Sequence, residues 1–184
     1  MEQKARISID NLRTFCVAVF EKLGVSHADA YITADCLVEA DRRGIKSHGV
    51  ARLGRYTDGL LSGVMIAKPN EKIIRESPVS ALIDAAGGLG QPVAARGMKL
   101  AIEKAKMSGI GFVSVKNSNH YGIAGYYSMM ALAHDFIGIS MTNSAPIAVP
   151  TFGKDAVLGT NPISVAIPVS YTHLRAHETP EHLV

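Results

Sequence analysis

The spacing of apolar residues predicts a helical first third of the chain. Helices are expected over residues 8–23, 28–43 and 50–61, with Ser26 and Ser47 as N-caps of the second and third. In the first of these helices, apolar side chains recur three or four positions apart and should share one face: Leu12, Phe15, Val19 and Leu23. We therefore interpret residues 1–63 as an N-terminal helical segment.

The pattern changes after residue 63, where short apolar runs alternate with helical periodicity. Strands are expected over residues 72–76, 81–84, 111–115, 136–142 and 162–167. A long helix should run from Pro92 to about residue 108, and a further helix is expected over residues 123–134. This alternation predicts an α/β fold with a layered sheet, which would occupy residues 64–168 and form an incomplete catalytic and cofactor domain.

Composition narrows the range of functions. The chain has 184 residues, 47% of them hydrophobic, and a net charge of +3, which suits a globular enzyme with a sizeable core. No run of lysine and arginine with interleaved aromatic residues indicates nucleic-acid binding. No apolar stretch approaches the roughly 18 residues of a membrane span, and the N-terminus shows no signal peptide. A cytoplasmic protein is therefore expected, with Cys16 and Cys36 as reduced core thiols.

A glycine-rich loop at residues 87–92 lies between a predicted strand and a predicted helix, as a dinucleotide-binding loop would. The G-x-G-x-x-G pattern fails, because the sixth position counted from Gly88 is Val93. No acidic residue stands about 20 positions further on. We interpret the loop as a glycine turn that leads into a helix with Pro92 in its first turn.

Candidate chemistry first appears at the exit of the predicted strand 111–115. His120 lies there among small and polar residues, in the segment 117–122. Strand exits are where α/β enzymes often place reactive groups, and histidine is the side chain best suited to move a proton near pH 7. The alternative is a histidine that only caps a helix or stabilises a turn.

A second group of polar residues precedes it, in the segment 44–52. His48 and Arg52 are four residues apart and would share one face of a helix. The planar guanidinium of Arg52 matches a carboxylate, and His48, with Ser47 beside it, could hydrogen-bond a neighbouring oxygen. The alternative is a capped surface helix with an exposed arginine.

Two further segments combine small residues with hydrogen-bonding side chains. Residues 140–144 end a predicted strand, and residues 159–162 form a tight turn before the last predicted strand. Turn chemistry by itself explains Asn, Ser, Gly and Pro at such places, so the pattern alone leaves their function open.

These segments together carry a resemblance to a known family. The chain is similar, from about residue 7 to residue 168, to the N-terminal half of the type-2 malate/L-lactate dehydrogenases. That family also includes sulfolactate, ureidoglycolate and diketogulonate oxidoreductases and an imine reductase that acts on cyclic 2-carboxylates. Four motifs match in order: ADRRGIKSHG (40–49), NSNHYGIAGYY (117–127), IGISMTNSAP (137–146) and LGTNP (158–162).

The resemblance implies an oxidoreductase that uses NAD or NADP on a nicotinamide site other than the Rossmann fold. Hydride would pass between the nicotinamide and a small 2-hydroxy acid of the malate or lactate type. His120 would exchange the hydroxyl proton, Arg52 would hold the carboxylate, and His48 with Ser47 would orient the substrate oxygens. The full-length parent would be a homodimer.

The resemblance also implies cofactor-binding residues. Ser144 matches a nicotinamide-binding serine of the family. The carry-over is looser for four neighbouring positions: Asn143, Gly159, Thr160 and Asn161.

The last stretch, residues 169–184, differs in composition and carries three of the seven histidines. We interpret it as a non-native tail joined to a truncated gene. A metal-binding tail through His173, His177 and His182 is the alternative. Without the second half of the family's length, the chain as it stands would be inactive.

Three other functions stay open at this point. The polypeptide could be a non-catalytic fragment or an interaction module. The parent could be an imine or diketo-acid reductase of the same family. A metal hydrolase built on His48 and His120 is the third, but neither histidine has a carboxylate at ligand spacing, so no metal is expected.

Overall fold

The computed structural model describes residues 7–169, so the tail predicted over residues 169–184 lies outside the described part except for Val169. The helices are α1 (Ile9–Lys22), α2 (His27–Arg42), α3 (Leu53–Leu61), α4 (Gly90–Ser108) and α5 (Ala124–Ser128). The strands are β1 (Lys72–Glu76), β2 (Ser80–Asp84), β3 (Phe112–Lys116), β4 (Gly138–Met141) and β5 (Ile163–Ala166). Short 3-10 helices cover Lys46–His48, Val50–Arg52 and Met129–His134.

The first two helices confirm the sequence prediction to within two residues. Ser8 and Ser26 are their N-caps, and each hydroxyl accepts a backbone N–H three residues later. The predicted apolar face of α1 is wrong at Phe15, whose side chain is 56% exposed. The helix instead turns Cys16 and Phe20 into the core, because these two residues, four apart, lie on the side that packs against α2.

The third helix begins later than predicted, and Ser47 is not its N-cap. Two 3-10 turns come first, and the Ser47 hydroxyl lies 2.9 Å from Nδ1 of His48 instead. The Asp41 carboxylate, at the end of α2, accepts the Val50 N–H at 2.8 Å and so satisfies the first N–H of the second 3-10 turn, whereas α3 has no side-chain cap. Gly49 makes room for this carboxylate, since a Cβ there would lie 1.9 Å from Asp41 Oδ1.

The α/β organisation is confirmed, with the strands divided between two small sheets. In the first sheet β2 lies in the middle, antiparallel to β1 and parallel to β3. In the second, β4 and β5 pair antiparallel. Helix α4 packs on β3 and β2, and α5 packs on β4 and β5. The predicted helix over residues 123–134 is α5 continued by a tighter 3-10 helix, which ends at Asp135 with a left-handed φ of 56°.

Three groups of buried side chains hold these elements together. The largest joins α1, α2 and α3 and includes Phe20 and Tyr56. A second joins α2 to the start of α5 through Cys36 and Ile123. The third fastens β2 to α4. The loop between β3 and α5 contacts both of the first two groups, since His120 lies against Tyr56 and the Tyr121 carbonyl oxygen lies against Cys36.

The outer face of the second sheet is apolar and uncovered in the described structure. Ser140 and Ala166 point inward and are buried. The alternate positions of the same strands are 50–68% exposed: Ile139, Met141, Ile163 and Val165. A face of this kind is the sort of surface that another segment or chain covers.

Residues 7–169 include no helix that is both long and apolar enough to cross a bilayer. No three His, Cys, Asp or Glu side chains in this range lie close enough to share a metal ion. Cys16 and Cys36 are buried and unpaired thiols, as the sequence predicted.

Candidate active site

The loop that carries His120 is tied to the end of the neighbouring strand. It leaves β3 at Asn117, which adopts a left-handed φ of 52°. The Asn117 amide donates to both carboxylate oxygens of Asp84, at 3.1 and 3.0 Å. Asp84 is the last residue of β2, beside the end of β3 in the parallel register. These contacts fix the chain where it leaves the sheet.

The same loop is tied to the glycine turn before α4. The Asn119 amide donates to the carbonyl oxygens of Gly87 and Gly88, at 2.8 and 3.0 Å. The predicted glycine turn is confirmed, and the structure gives its reason. A Cβ on Gly90 would lie 2.2 Å from the Asn119 carbonyl oxygen and 2.6 Å from that of His120. The glycines therefore allow the His120 loop to lie directly against α4.

His120 is held by a buried tyrosine. Its Nδ1 lies 2.6 Å from the Tyr56 hydroxyl, and Tyr56 is fully buried in the helical core. The Gly122 N–H points at the same nitrogen from 3.4 Å, at the long limit of a hydrogen bond. Because both contacts go to Nδ1, the other ring nitrogen, Nε2, is left for a ligand.

The two predicted histidines lie together. The rings of His48 and His120 stack with centroids 5.4 Å apart and planes 23° apart. Ser47 hydrogen-bonds Nδ1 of His48, which again leaves Nε2. The fold thus brings two segments that are 72 positions apart in sequence into one site.

Arg52 joins the same group. Its Nε–H donates to the Ser47 carbonyl oxygen at 2.6 Å, which fixes the guanidinium next to the residue that supports His48. Among residues 7–169, no carboxylate forms an ion pair with Arg52 or with Arg55 on the following helical turn. Both positive charges are available to an anion.

The electrostatics of this group favour the neutral form of both imidazoles. Burial, followed by the positive charge of Arg55 and the neighbouring His48 and Arg52, lowers the pKa of His120 to about 4. The pKa of His48 is lowered by burial and by the same two arginines. A neutral imidazole near pH 7 can accept a proton, which is what a general base requires.

Three residues of this site were not predicted from the sequence: Tyr56, Arg55 and Gln91. Tyr56 follows Arg52 by four positions, and this helical spacing could have indicated that Tyr56 lies on the same helix face as Arg52. No sequence signal indicated Gln91, which is fully buried beside Gly122 of the His120 loop.

The residues predicted to bind the cofactor form a second group at the β4–β5 end of the molecule. The Ser144 hydroxyl accepts the Thr160 N–H at 2.8 Å and lies 3.2 Å from the Thr160 hydroxyl. The Asn161 side-chain oxygen accepts the Ser144 N–H at 2.9 Å. A Cβ on Gly159 would lie 2.6 Å from the Ser144 carbonyl oxygen. The structure brings these four residues together, as turn chemistry would also do.

Asn143 completes this group from the adjacent position. Its side chain is exposed and makes no hydrogen bond within the described part of the chain. An amide and two hydroxyls in one exposed group offer both donors and acceptors, which is the chemistry that a nicotinamide carboxamide needs. The side chains present therefore fit such a group.

A direct contact connects the two groups of residues. Tyr121, next to His120, places its hydroxyl 3.3 Å from the Ser140 hydroxyl on β4. Ser140 precedes Ser144 by four positions on the same strand and its extension. The loop that carries the imidazole is thus joined to the strand that leads to the second group.

Comparison with known proteins gives a consistent result. The sequence model described as malate/L-lactate dehydrogenase matches residues 7–175. The chain is 57% identical over 167 residues to a malate dehydrogenase of Pyrococcus abyssi, which covers 91% of this chain and 46% of that protein. It is 48% identical over 157 residues to an L-sulfolactate dehydrogenase of Methanocaldococcus jannaschii, which covers 85% of this chain and 46% of that protein.

A solved structure agrees with these relatives. The malate dehydrogenase of Pyrococcus horikoshii OT3 superposes with a TM-score of 0.89 at 55% sequence identity, over 94% of this chain and 49% of that one. This chain spans about half the length of the relatives it matches. The match covers nearly the whole chain at high identity, and the chain therefore belongs to the malate/L-lactate dehydrogenase family.

Proposed function

We propose that this chain is the N-terminal half of an NAD- or NADP-dependent oxidoreductase that interconverts a small 2-hydroxy acid of the malate or lactate type and its 2-oxo acid. One observation carries the proposal. The imidazole of His120 stacks on His48 and lies beside two arginines that have no acidic partner in the described structure, and burial and these charges lower its pKa to about 4. This arrangement combines a base with a site for an anionic substrate.

The proposed base is Nε2 of His120. Its ring is held through Nδ1, so Nε2 is the nitrogen that would accept the proton of the C2 hydroxyl. In the reverse direction the same nitrogen would return the proton to the carbonyl oxygen. His48, stacked on His120 with its own Nε2 uncommitted, would hydrogen-bond a substrate oxygen, and Ser47 would keep that ring in place.

The proposed carboxylate anchor is Arg52. Its Nε is occupied by Ser47, so the two terminal nitrogens of the guanidinium are left for the substrate. Arg55 adds a second positive charge on the same side. Binding of a carboxylate would offset the charges that lower the pKa of His120 and would thereby raise the basicity of the imidazole when substrate is present.

A bound oxidised nicotinamide would accept the hydride that leaves C2 of the hydroxy acid. The proposed contacts to it are Ser144, Asn143 and Thr160, with Gly159 and Asn161 shaping the turn that presents them. The remaining cofactor contacts would come from the second half of the protein, and the intact enzyme is proposed to be a homodimer.

The experiment that tests this function needs a complete protein. Residues 1–168 would be joined to the second half of the Pyrococcus horikoshii malate dehydrogenase, a product called here the restored enzyme. NADH and NADPH oxidation would be measured with oxaloacetate and pyruvate, and the reverse reaction with malate and lactate. Turnover of the malate–oxaloacetate pair or of the lactate–pyruvate pair is expected. A folded restored enzyme that oxidises neither cofactor with these acids would contradict the proposal.

Replacing Arg52 by lysine in the restored enzyme should lower kcat/KM for malate or lactate. An ammonium cannot bind a carboxylate through two parallel hydrogen bonds, nor can it keep the Nε contact to Ser47. Loss of one charge-assisted hydrogen bond, worth about 1.5–3 kcal/mol, corresponds to roughly a 10- to 150-fold decrease. Steady-state kinetics measure it, with Arg75→Lys on the exposed strand β1 as the matched control. Equal kcat/KM for Arg52→Lys and the control would place Arg52 outside the substrate site.

Replacing Gly90 by alanine should destabilise the restored enzyme and displace His120. The new Cβ would overlap two carbonyl oxygens of the His120 loop, and overpacking of this kind costs about 1–3 kcal/mol. Thermal unfolding and kcat would both be measured. Gly54→Ala is the control, because a Cβ at this position in α3 meets nothing within 4 Å. A Gly90→Ala enzyme that melts at the same temperature as the Gly54→Ala enzyme would contradict the expected close packing.

A further inference from the structure

One carboxylate lies where two neighbouring strands leave the first sheet. Asp84 is the last residue of β2 and pairs in the parallel register with Lys116, the last residue of β3. Reactive groups of α/β proteins are commonly placed at this end of parallel strands. Two loops begin here: the glycine turn that leads into α4, and the loop that carries His120. The side chain of Asp84 contacts both of them.

Both loops begin with a backbone conformation that L-residues rarely adopt. Ala86 in the glycine turn has a φ of 47°, and Asn117 in the His120 loop has a φ of 52°. Such left-handed residues are strained, alanine more than asparagine, and they persist where surrounding contacts hold them. Asp84 holds each of them. Its Oδ1 accepts the Ala86 N–H at 2.9 Å, and its two oxygens lie 3.1 and 3.0 Å from the amide nitrogen of Asn117.

Backbone hydrogen bonds continue the pairing of the two loops beyond the ends of the strands. The Ala85 N–H donates to the Lys116 carbonyl oxygen at 3.0 Å, and the Gly87 N–H donates to the Asn117 carbonyl oxygen at 2.8 Å. The Asn119 amide adds the two contacts to the glycine turn described above. The loops therefore form one unit from their first residues onward, and the imidazole follows directly after the last of these contacts.

The charge of Asp84 fixes the direction of its hydrogen bonds. The Ala86 N–H and the Asn117 amide, together with the Lys116 ammonium 3.4 Å from Oδ2, lower the pKa of this carboxyl. An ionised carboxylate can only accept hydrogen bonds, so the nitrogen of the Asn117 amide has to face it. The ion pair with Lys116 lies at the surface, where such pairs contribute little. The two hydrogen bonds are therefore the contacts that matter.

We propose that Asp84 is a positioning residue for the base: it holds the His120 loop against the glycine turn and so determines where the imidazole lies. The inference rests on the proposed function, in which His120 is the base. Asp84 acts through Asn117, three residues before the imidazole, and its carboxylate forms no hydrogen bond with His120 in the described structure. A base displaced by about 1 Å can lose about 10²-fold in turnover, so a contact at the start of the loop can affect catalysis.

Replacing Asp84 by alanine in the restored enzyme would remove both hydrogen bonds. The kcat for hydroxy-acid oxidation should fall by about tenfold or more. KM for the acid should change little, because Arg52 and His48 lie on a different segment. Lys116→Gln is the control, since it removes only the ion pair of the same carboxylate, and its kcat should stay within a few-fold of the unaltered enzyme. Melting temperatures show whether each variant is folded.

An exchange of the two side chains tests the contact itself. Asn117→Asp keeps a residue that tolerates the left-handed conformation but places two carboxylates face to face, so kcat should fall. Adding Asp84→Asn gives the pair a donor and an acceptor again, with the net charge of the unaltered enzyme, and should restore most of the lost kcat. This pair of variants decides the question if Asp84→Ala does not fold.

The pKa of His120 provides a readout that does not depend on turnover. Its ring signals, assigned by their loss in His120→Gln, would be followed by NMR as a function of pH. The pKa should lie well below 6.5 in the unaltered enzyme, because the ring is buried beside positive groups. Removing the negative charge of Asp84 would by itself lower the pKa of a nearby histidine further. A rise toward 6.5 in Asp84→Ala therefore reports that the ring has left its buried position.

Two results would overturn the inference: a folded Asp84→Ala enzyme with unchanged kcat and unchanged pKa of His120, or a double variant no more active than Asn117→Asp alone. Because the titration requires no turnover, it separates this inference from the proposed function. If the pKa of His120 depended on Asp84 while the His120→Ala enzyme turned over normally, the base would be rejected and the positioning role of Asp84 would remain.

Discussion

Replacing His120 by alanine in the restored enzyme is expected to lower kcat by about 10²- to 10⁴-fold, the range for loss of a general acid–base. The proton of the C2 hydroxyl would then have no acceptor. His48, the neighbouring imidazole, is oriented by a different partner, Ser47, and would not replace His120. Binding of NADH or NADPH, measured by fluorescence titration, should persist, since the proposed cofactor contacts lie on another part of the chain.

His134→Ala is the matched control, because this exposed histidine lies at the end of the 3-10 helix after α5. Its kcat should stay within a few-fold of the unaltered enzyme. If His120→Ala retained turnover at the level of this control, His120 would not be the base.

The pH dependence gives a further check on the same residue. Oxidation requires neutral His120, so activity is lost as the pH falls through its pKa. Since burial and the neighbouring positive groups lower that pKa to about 4, the acid limb of kcat/KM, which reports the free enzyme, should lie well below the ordinary histidine value of 6.5. A bound carboxylate would offset the neighbouring positive charges, so the acid limb of kcat, which reports the enzyme–substrate complex, should lie at higher pH. An acid limb of kcat/KM at or above pH 6.5 would contradict the electrostatics described for the site.

The 184-residue chain by itself is expected to have no dehydrogenase activity and to associate into aggregates. The outer face of β4 and β5 exposes a row of branched and long apolar side chains. Exposed apolar strands recruit other chains. The chain also spans only about half of its relatives, so the cofactor contacts proposed for the second half are missing from it.

Size-exclusion chromatography and an NAD(P)H assay with oxaloacetate and pyruvate measure this prediction. Ile163→Lys serves as the informative variant, because Ile163 is 68% exposed on this face. A charge at this position should reduce association without creating activity. The restored enzyme is the positive control. A monodisperse and active 184-residue product would mean that the chain contains a complete site.

The sequence by itself determined most of the local structure. Three features could be predicted from the sequence, because they depend on interactions between residues close in the chain. They are the serine caps and apolar periodicity of α1 and α2, the alternation of strands and helices, and the turn before α4. The position of His120 after a strand could be predicted for the same reason. The resemblance of four ordered motifs predicted the family, which the comparisons confirmed.

The tertiary structure decided what the site consists of. Ser47 is not an N-cap, because its hydroxyl contacts His48 and two 3-10 turns precede α3. The stacking of His48 on His120, the lowered pKa values and the buried Tyr56 and Gln91 all arise between segments far apart in sequence. Periodicity reports which face of a helix is apolar, but it does not report which partner that face meets. The chemistry of the imidazole depends on those partners, and only the packing of α2, α3 and α4 around one loop supplies them.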